Sequence, residues 1–555
     1  MSGHFHRWRT RSIDAWDTLQ VELHGHYSAE RLLELQNYSN TASIPGLTAI
    51  ILFTPLPCLF TVILADFTPF NSPEVGTDSN MIFWLRGSMV VWFFTLSFVV
   101  QFREMMPKLP MTQARGFGVT LLVSTGVMLY CYSLSHIIGF PVPFLMVMGA
   151  PVWTTLLLSC FAISWVKHVR ADTRVQGQIV DGLKVFVIQI SMIVIYPFYI
   201  YCFTKLSHVA QAAFSLLLHV IKMTIKNGIS RYIRSQTDMK PEIVIFNVEV
   251  FNALFASFCM QNSSTKLTIA VIMAADLLHI AISLREVLLM LRELKEIKRQ
   301  LDLNEALVRG PEPTVNPSMN AMTRACSILK HMSGFDKDTL DQHSKRSSKQ
   351  SATLWCFRRD NKVHPHSKAR TSVAVHDSTS KSQEPREDQP TEADIKCCTP
   401  PPETLEYRLE KIKVVYVHKV ARLLHLVEFM ILVEYTEVIV PVVYSIYVGA
   451  MSYLPNRVYY PQLADMGAAG LQSTLSNVLL YGFLEFISIL VLEFVLRKSI
   501  KYSPVCQLGF VLRNQWKMVQ SKLVLWVLYV VQSSLVHFGA DYSFQFAWLH
   551  QSSNS

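Results

Sequence analysis

Acidic side chains inside apolar segments are the chemically notable feature of this sequence. Asp276 lies in one apolar run, Glu434 and Glu437 lie in a second, and Glu485 lies in a third. Charge in hydrocarbon costs several kcal/mol unless it is paired or hydrated, so such residues often mark functional positions. On a helix, Glu434 and Glu437 share one face, as do Asp276 and His279.

These carboxylates allow two interpretations. In the first, Asp276, Glu434, Glu437 and Glu485 line a polar cavity that takes up a proton or another cation. In the second, they pair with Arg86, near the start of another apolar run, or hydrogen-bond across helices and hold a bundle together. Glu428 would lie near the cytoplasmic end of its run, so we expect it to extend to the membrane interface.

The elements that must position these residues are apolar runs of membrane-spanning length. Charged residues make up only 17% of the 555 residues, against about 25% in ordinary globular proteins. Runs near 20 residues predict transmembrane helices. Nine are clear and two are weaker, the weaker ones being either poor spans or an interfacial hairpin. The clear runs are 46–65, 81–102, 117–138, 142–166, 183–204, 267–284, 423–450, 472–496 and 523–539, and the weaker ones are 206–221 and 243–261.

The distribution of Lys and Arg favours crossing by both weaker runs. With eleven spans and a cytoplasmic N-terminus, the short inner segments hold 21 basic residues and the outer ones hold 3. If the weaker pair did not cross, the ratio would fall to 16 against 8. Because short cytoplasmic loops are enriched in Lys and Arg, we expect eleven spans, with nine as the fallback, and a C-terminus outside the cytoplasm.

The sequence therefore predicts an all-α polytopic transmembrane helix bundle with a largely disordered cytoplasmic insert, in the plasma membrane or an endomembrane. The expected regions are a cytoplasmic segment 1–45, a first membrane bundle 46–284, a cytoplasmic insert 285–422, a second membrane bundle 423–540 and a non-cytoplasmic tail 541–555. Residues 310–403 are rich in Ser, Thr, Lys and Pro without sustained periodicity, as disordered segments are. They could recruit a cytoplasmic partner.

Amphipathic helices are expected on both sides of this disordered segment. Apolar residues recur every three or four positions after Leu284 and again from Leu405 to Leu424, with Lys, Arg and Glu between them. The two helices could pack together as a stalk, or each could lie on the inner leaflet.

Recognisable catalytic and cofactor motifs are missing from the sequence, which argues against an enzyme and calls for no cofactor or metal. The net charge of +10 does not indicate nucleic-acid binding, because the basic residues flank apolar runs. Asn262 begins an Asn-Ser-Ser glycosylation sequon in a short outer loop.

The C-terminal region resembles a known group of proteins. The stretch YSPVCQLGFVL at 502–512, followed by GADYSF at 539–544, resembles a recurrent ending of uncharacterised multi-spanning membrane proteins of water moulds. The resemblance covers the spans and not the insert. It implies a membrane protein and carries no known activity.

Two hypotheses about function follow. The first is a secondary transporter or channel-like conduit for a small polar solute, with Asp276, His279, Glu434, Glu437 and Glu485 as the coupling site. The alternative is a non-transporting scaffold or sensor that recruits partners through its insert. Oligomeric state and substrate are not determined by the sequence.

Overall fold

The structure is a computed structural model that describes residues 25–107, 109–233, 237–262, 266–309, 319–331, 405–464 and 466–540. Regular structure within these residues is helical, without β-strands. The predicted all-α class is therefore confirmed. The predictions for most of the insert and for the tail 541–555 lie outside the described residues.

We number the main helices in chain order. Before the insert they are α1 (Ala29–Thr41), α2 (Ile44–Phe53), α3 (Leu56–Asp66), α4 (Met81–Met105), α5 (Gln113–Ile138), α6 (Leu145–Ala171), α7 (Thr173–Lys205), α8 (His208–Tyr232), α9 (Lys240–Asn262) and α10 (Lys266–Arg309). From α11 onward they are α11 (Ala321–His331), α12 (Leu405–Met451), α13 (Ala468–Ile500), α14 (Pro504–Asn514) and α15 (Trp516–Gln532). One further helical turn, Pro461–Ala464, precedes α13.

The chain is an integral membrane helix bundle. Eight helical segments of its described part are long and apolar enough to cross a membrane. Both weaker runs are among them, as Val209–Tyr232 and Lys240–Phe258, which favours eleven spans over nine. The other three expected spans, 267–284, 423–450 and 523–539, begin within α10, α12 and α15, the last continuing into a short 3₁₀ turn.

Helix α9 lies at the centre of the bundle. Within its span, 94% of the residues are buried inside the protein, against 17% for the span in α6. Helices α8, α12, α13 and α15 pack around it. A helix enclosed by other helices does not meet lipid, so it can carry the polar residues that made this run look weak in the sequence.

Helices α10 and α12 extend beyond the bundle and pack together. They contain 44 and 47 residues, or about 66 and 70 Å at 1.5 Å per residue. Lys419 Nζ lies 2.6 Å from Glu293 Oε2 across the pair. Arg324 of α11 joins it, 2.5 Å from Asp302 of α10 and below the ring of Tyr416 of α12. Of the two expected arrangements, the stalk is therefore the observed one.

Candidate functional site

Charged side chains from five helices meet inside the bundle. We call this group the carboxylate cluster. It consists of Lys222, Lys226 and His219 of α8, Glu249 of α9, Asp276 of α10, Glu434 and Glu437 of α12, and Glu485 of α13. All of them except His219 are buried. Five carboxylates thus share a site with two lysines and a histidine.

Lys222 is the central cation. Its Nζ lies 2.9 Å from Glu249 Oε2 and 2.9 Å from Glu437 Oε1, with Asp276 Oδ1 at 3.9 Å. Lys226, one helical turn further along α8, pairs with the second oxygen of Glu249. The two lysines therefore hold Glu249 firmly and Glu437 from one side.

Asp276 has two further partners. His219 Nε2 lies 3.0 Å from Asp276 Oδ1, and the Tyr481 hydroxyl donates to Asp276 Oδ2 at 3.2 Å. The side chain of His219 is 21% exposed, so this residue forms the edge of the cluster. A histidine in this position can pass a proton between the surface of the bundle and the buried carboxylate.

Glu434 and Glu485 are the least compensated members. Ser488 donates a hydrogen bond to Glu434, whose Oε2 has no hydrogen-bond partner in the described part of the chain. Glu485 Oε2 is likewise buried and unpartnered among the described residues. Glu485 is within electrostatic reach of Asp276 and Glu434, which repel it. These two side chains are the points at which the cluster can accept a positive charge.

The coupling site predicted from the sequence contains four of the five acids of the cluster, but not Glu249, Lys222 or Lys226. Spacing of 219, 222 and 226 places His219, Lys222 and Lys226 on one face of α8. The apolar run 206–221 ends before Lys222, so the sequence places both lysines in the loop that follows it. The periodicity of three and four residues was the available signal. Predicted His279 lies three residues beyond Asp276 and is half-buried.

Arg86, a possible partner of these carboxylates in the second interpretation, contacts none of them in the described structure. Arg86 lies in the first two turns of α4, and its Nη2 is 2.6 Å from Oδ1 of Asp66, the last residue of α3. Asp66 also accepts from the hydroxyls of Tyr447 at 2.9 Å and Tyr460 at 2.7 Å. Gln532 donates to Asp66 at 2.9 Å and accepts from Arg86. We call these residues the Arg86 network.

The interfacial position expected for Glu428 is wrong. Glu428 is fully buried, 2.7 Å from Arg31 of α1, and Arg31 contacts Glu242 of α9 at 2.5 Å. Tyr27 donates to Glu428, and Gln507 donates to Tyr27. We call these residues the Arg31 network. The sequence did not predict this network, because residues 25–41 are not apolar enough to indicate burial.

Local sequence explains how the Arg31 network is positioned. Ser28 caps α1 by accepting a hydrogen bond from the backbone N–H of Arg31 at 3.1 Å. Ser503 caps α14 in the same way, accepting from Cys506 at 3.3 Å. Gln507, in the first turns of α14, then reaches the carbonyl of Leu424 at 2.8 Å.

Helix α12 connects the three charged regions. It contributes Glu428 to the Arg31 network, Glu437 to the carboxylate cluster and Tyr447 to the Arg86 network. At 1.5 Å per residue, these positions are separated by about 14 and 15 Å along the helix. The carboxylate cluster therefore lies between two hydrogen-bonded networks, one toward each end of the bundle.

The remaining features do not change this picture. A cavity of about 100 Å³ lies between α4, α5, α6 and α15, and its lining is apolar apart from Tyr529 and the indoles of Trp153 and Trp526. In the described part of the chain, no group of three or more His, Cys, Asp and Glu side chains has the geometry to hold a metal ion. Asn262 is the last residue of α9, and its side chain is not among those described.

The fold and the site together define a helical membrane protein whose interior contains ionisable side chains. Comparison of the chain with protein-family models, with curated proteins and with solved structures gives no match. The site is therefore interpreted from its own geometry.

Proposed function

We propose that the protein is a secondary transporter or channel-like conduit for a small polar solute, with the carboxylate cluster as its coupling site. The observation that carries this proposal is the charge imbalance of the cluster, in which five carboxylates accompany only two lysines. Uncompensated charge in a membrane interior is expensive. Uptake of protons or of a monovalent cation would remove the imbalance.

The members of the cluster then divide into two roles. Lys222 and Lys226 fix Glu249 and Glu437, and so hold α8, α9 and α12 together. Glu434 and Glu485 bind and release the coupling cation, because each has a carboxylate oxygen without a hydrogen-bond partner in the described structure. His219 and Asp276 form the route by which a proton reaches them.

The two flanking networks act as the closures of the conduit in this proposal. The Arg31 network lies on the side that the positive-inside pattern makes cytoplasmic, and the Arg86 network lies on the other side. With both networks formed, the cluster is closed at both ends. Solute movement would require each network to open in turn, which is the usual logic of alternating access.

Ion flux into liposomes tests the proposal directly. Purified full-length protein is reconstituted with a trapped pH indicator or, in parallel liposomes, a trapped sodium-sensitive dye. A potassium diffusion potential is imposed with and without sodium and a panel of small polar solutes. We expect proton or sodium movement well above that of empty liposomes. Glu434→Gln should reduce this ion flux by about tenfold or more, because it removes a carboxylate that binds and releases the coupling cation in this proposal.

The matched control is Glu493→Gln. Glu493 is on α13, as Glu485 is, but it accepts from the backbone of Val505 and lies beside Arg497, outside the cluster. This variant should keep wild-type flux. Absence of proton or sodium flux in wild type with every solute would reject the transport proposal.

The alternative function, a scaffold or sensor, is favoured by the stalk. Ion pairs between α10, α11 and α12 give the stalk a defined shape beyond the bundle. Burial raises the pKa of the Cys326 thiol to about 11 and that of Tyr416 to about 12, so both are neutral packing groups there. A stalk of this kind could present residues 310–403 to a cytoplasmic partner. Wild-type liposomes without flux would make this the leading proposal.

A further inference from the structure

The apolar cavity between α4, α5, α6 and α15 is separate from the carboxylate cluster and has a volume of about 100 Å³. Spacing of four residues places Val90, Phe94 and Phe98 on one face of α4, and all three line the cavity. They lie in the middle part of the span Asp78–Met105, so the cavity is at the depth of the hydrocarbon core of the membrane. It is partly enclosed by the helices and partly open to the surface of the bundle.

Two small residues of α6 leave this space unfilled. Gly149 allows α6 to approach α5 closely, since a Cβ atom there would lie 3.3 Å from Sγ of Cys131. Ala150, the next residue, also lines the cavity and has only a methyl group. A larger side chain at position 150 would occupy part of the cavity.

The polar atoms of the aromatic lining residues are already used within the protein. Trp153 Nε1 donates to Thr95 Oγ1 at 2.9 Å, and Trp526 Nε1 donates to Asn247 Oδ1 at 3.3 Å. The Tyr529 hydroxyl donates to a backbone carbonyl of α7 at 3.2 Å. The cavity therefore presents an apolar surface to whatever enters it.

The surroundings of the cavity determine which occupant suits it. A buried water needs two to four polar partners, and apolar cavities of about 150 Å³ stay dry and bind small hydrocarbons instead. Lining atoms that face an empty space also lose dispersion contacts. The hydrocarbon available at this depth is that of the phospholipid acyl chains. An acyl chain is narrow and flexible, so it suits a partly open cavity of this size better than the fused rings of a sterol do.

We infer that this cavity is a binding site for one acyl chain of a membrane phospholipid. The acyl chain enters through the open side and packs against α4, α6 and α15, where Ala150 leaves space for it. The site shares no residue with the carboxylate cluster, so it does not depend on the proposed transport function.

Photochemical labelling in a bilayer tests the inference. Full-length protein is reconstituted in phosphatidylcholine that contains phospholipids with a diazirine at different positions along one acyl chain, and labelled residues are identified by mass spectrometry after irradiation. Ile163 of α6 is 82% exposed and serves as the reference for ordinary contact with lipid. Cys131 and Trp153 line the cavity and are only 4% and 9% exposed, so an acyl chain reaches them from within the cavity. We expect label at both of these residues. Label at Ile163 without label at Cys131 and Trp153 would overturn the inference.

Two variants of α6 form a matched pair. Ala150→Leu adds three carbons at the cavity, so it should lower the label at Cys131 and Trp153, relative to Ile163, by about tenfold or more. Ala162→Leu makes the same change at an exposed position outside the cavity and should label as wild type does. Undiminished label at Cys131 and Trp153 in folded Ala150→Leu protein would contradict the inference.

A photoactivatable sterol identifies the kind of occupant. In the same bilayers, it should label Ile163 and leave Cys131 and Trp153 unlabelled. Label at these two residues from the sterol, and none from the phospholipids, would show that the cavity does not bind an acyl chain.

Discussion

The Arg86 network and the carboxylate cluster are both buried and ionic, yet they are built differently. In the Arg86 network, a single cation meets a single anion, and both oxygens of Asp66 accept hydrogen bonds from Tyr447, Tyr460 and Gln532. In the carboxylate cluster, Glu434 and Glu485 each keep an oxygen without a hydrogen-bond partner in the described structure.

This difference separates structural from exchangeable charge. A buried pair with matched charge, in which both oxygens of the anion are hydrogen-bonded, gains nothing from a further cation, so it is suited to holding helices together. Arg86 Nε and Nη1 have no hydrogen-bond partner in the described structure, so the completeness lies on the side of the anion. A cluster with surplus carboxylates can change its charge by taking up a cation without losing its existing ion pairs. Neutralising Asp66 should therefore destabilise the protein, whereas neutralising an unpaired carboxylate of the cluster should leave its stability nearly unchanged.

The largest effect is expected for Asp66→Asn. An asparagine there removes the counter-charge of Arg86 and turns one acceptor oxygen into a donor facing tyrosine hydroxyls. Breaking a buried ion pair from one side typically costs about 3–5 kcal/mol. We expect a large drop in the melting temperature of the detergent-purified protein, or failure to fold. A variant as stable as wild type would show that the network is not the closed structural pair described above.

A smaller loss is expected for Lys222→Met. The change leaves Glu249 with Lys226, but it removes the cation that Glu437 contacts. We expect destabilisation of about 2–4 kcal/mol, the cost of one buried and uncompensated carboxylate. The double variant Lys222→Met, Glu437→Gln should recover part of it, because it removes that carboxylate as well. A double variant less stable than Lys222→Met would mean that Glu437 has another cationic partner.

The helices were predictable from the sequence because apolar periodicity is local. Apolar repeats of three and four residues predict the amphipathic extensions of α10 and α12. The stalk was one of the two arrangements expected for these extensions. The weaker runs were harder to identify as spans. High hydropathy marks helices that face lipid, and α9 is almost entirely covered by other helices. Asn247, Glu249 and Asn252 lower the mean hydropathy of this helix, although all three are buried against other helices.

The pairing of charges was not predictable from one sequence. Lys222 and Glu437 are separated by 215 positions, and Arg31 and Glu428 by 397. Which acid meets which base depends on how the helices pack, and many packings satisfy the same hydropathy. The rule that lysines mark loops also failed at Lys222 and at Lys522 of α15, because it treats every lysine as exposed to water and both of these are buried.

The smallest effect on stability is expected for Glu485→Gln, and it is the most informative. Glu485 has no cation of its own among the described residues and is repelled by Asp276 and Glu434. A neutral amide of the same size removes that repulsion and strands no cation. We therefore expect a change in unfolding free energy within about 1 kcal/mol of wild type, in either direction. The melting temperature of Glu485→Gln, measured beside Asp66→Asn in the same detergent, gives the comparison. Equal and large losses in both variants would mean that Glu485 is ion-paired as Asp66 is, and the carboxylate cluster would then be a second structural network without exchangeable charge.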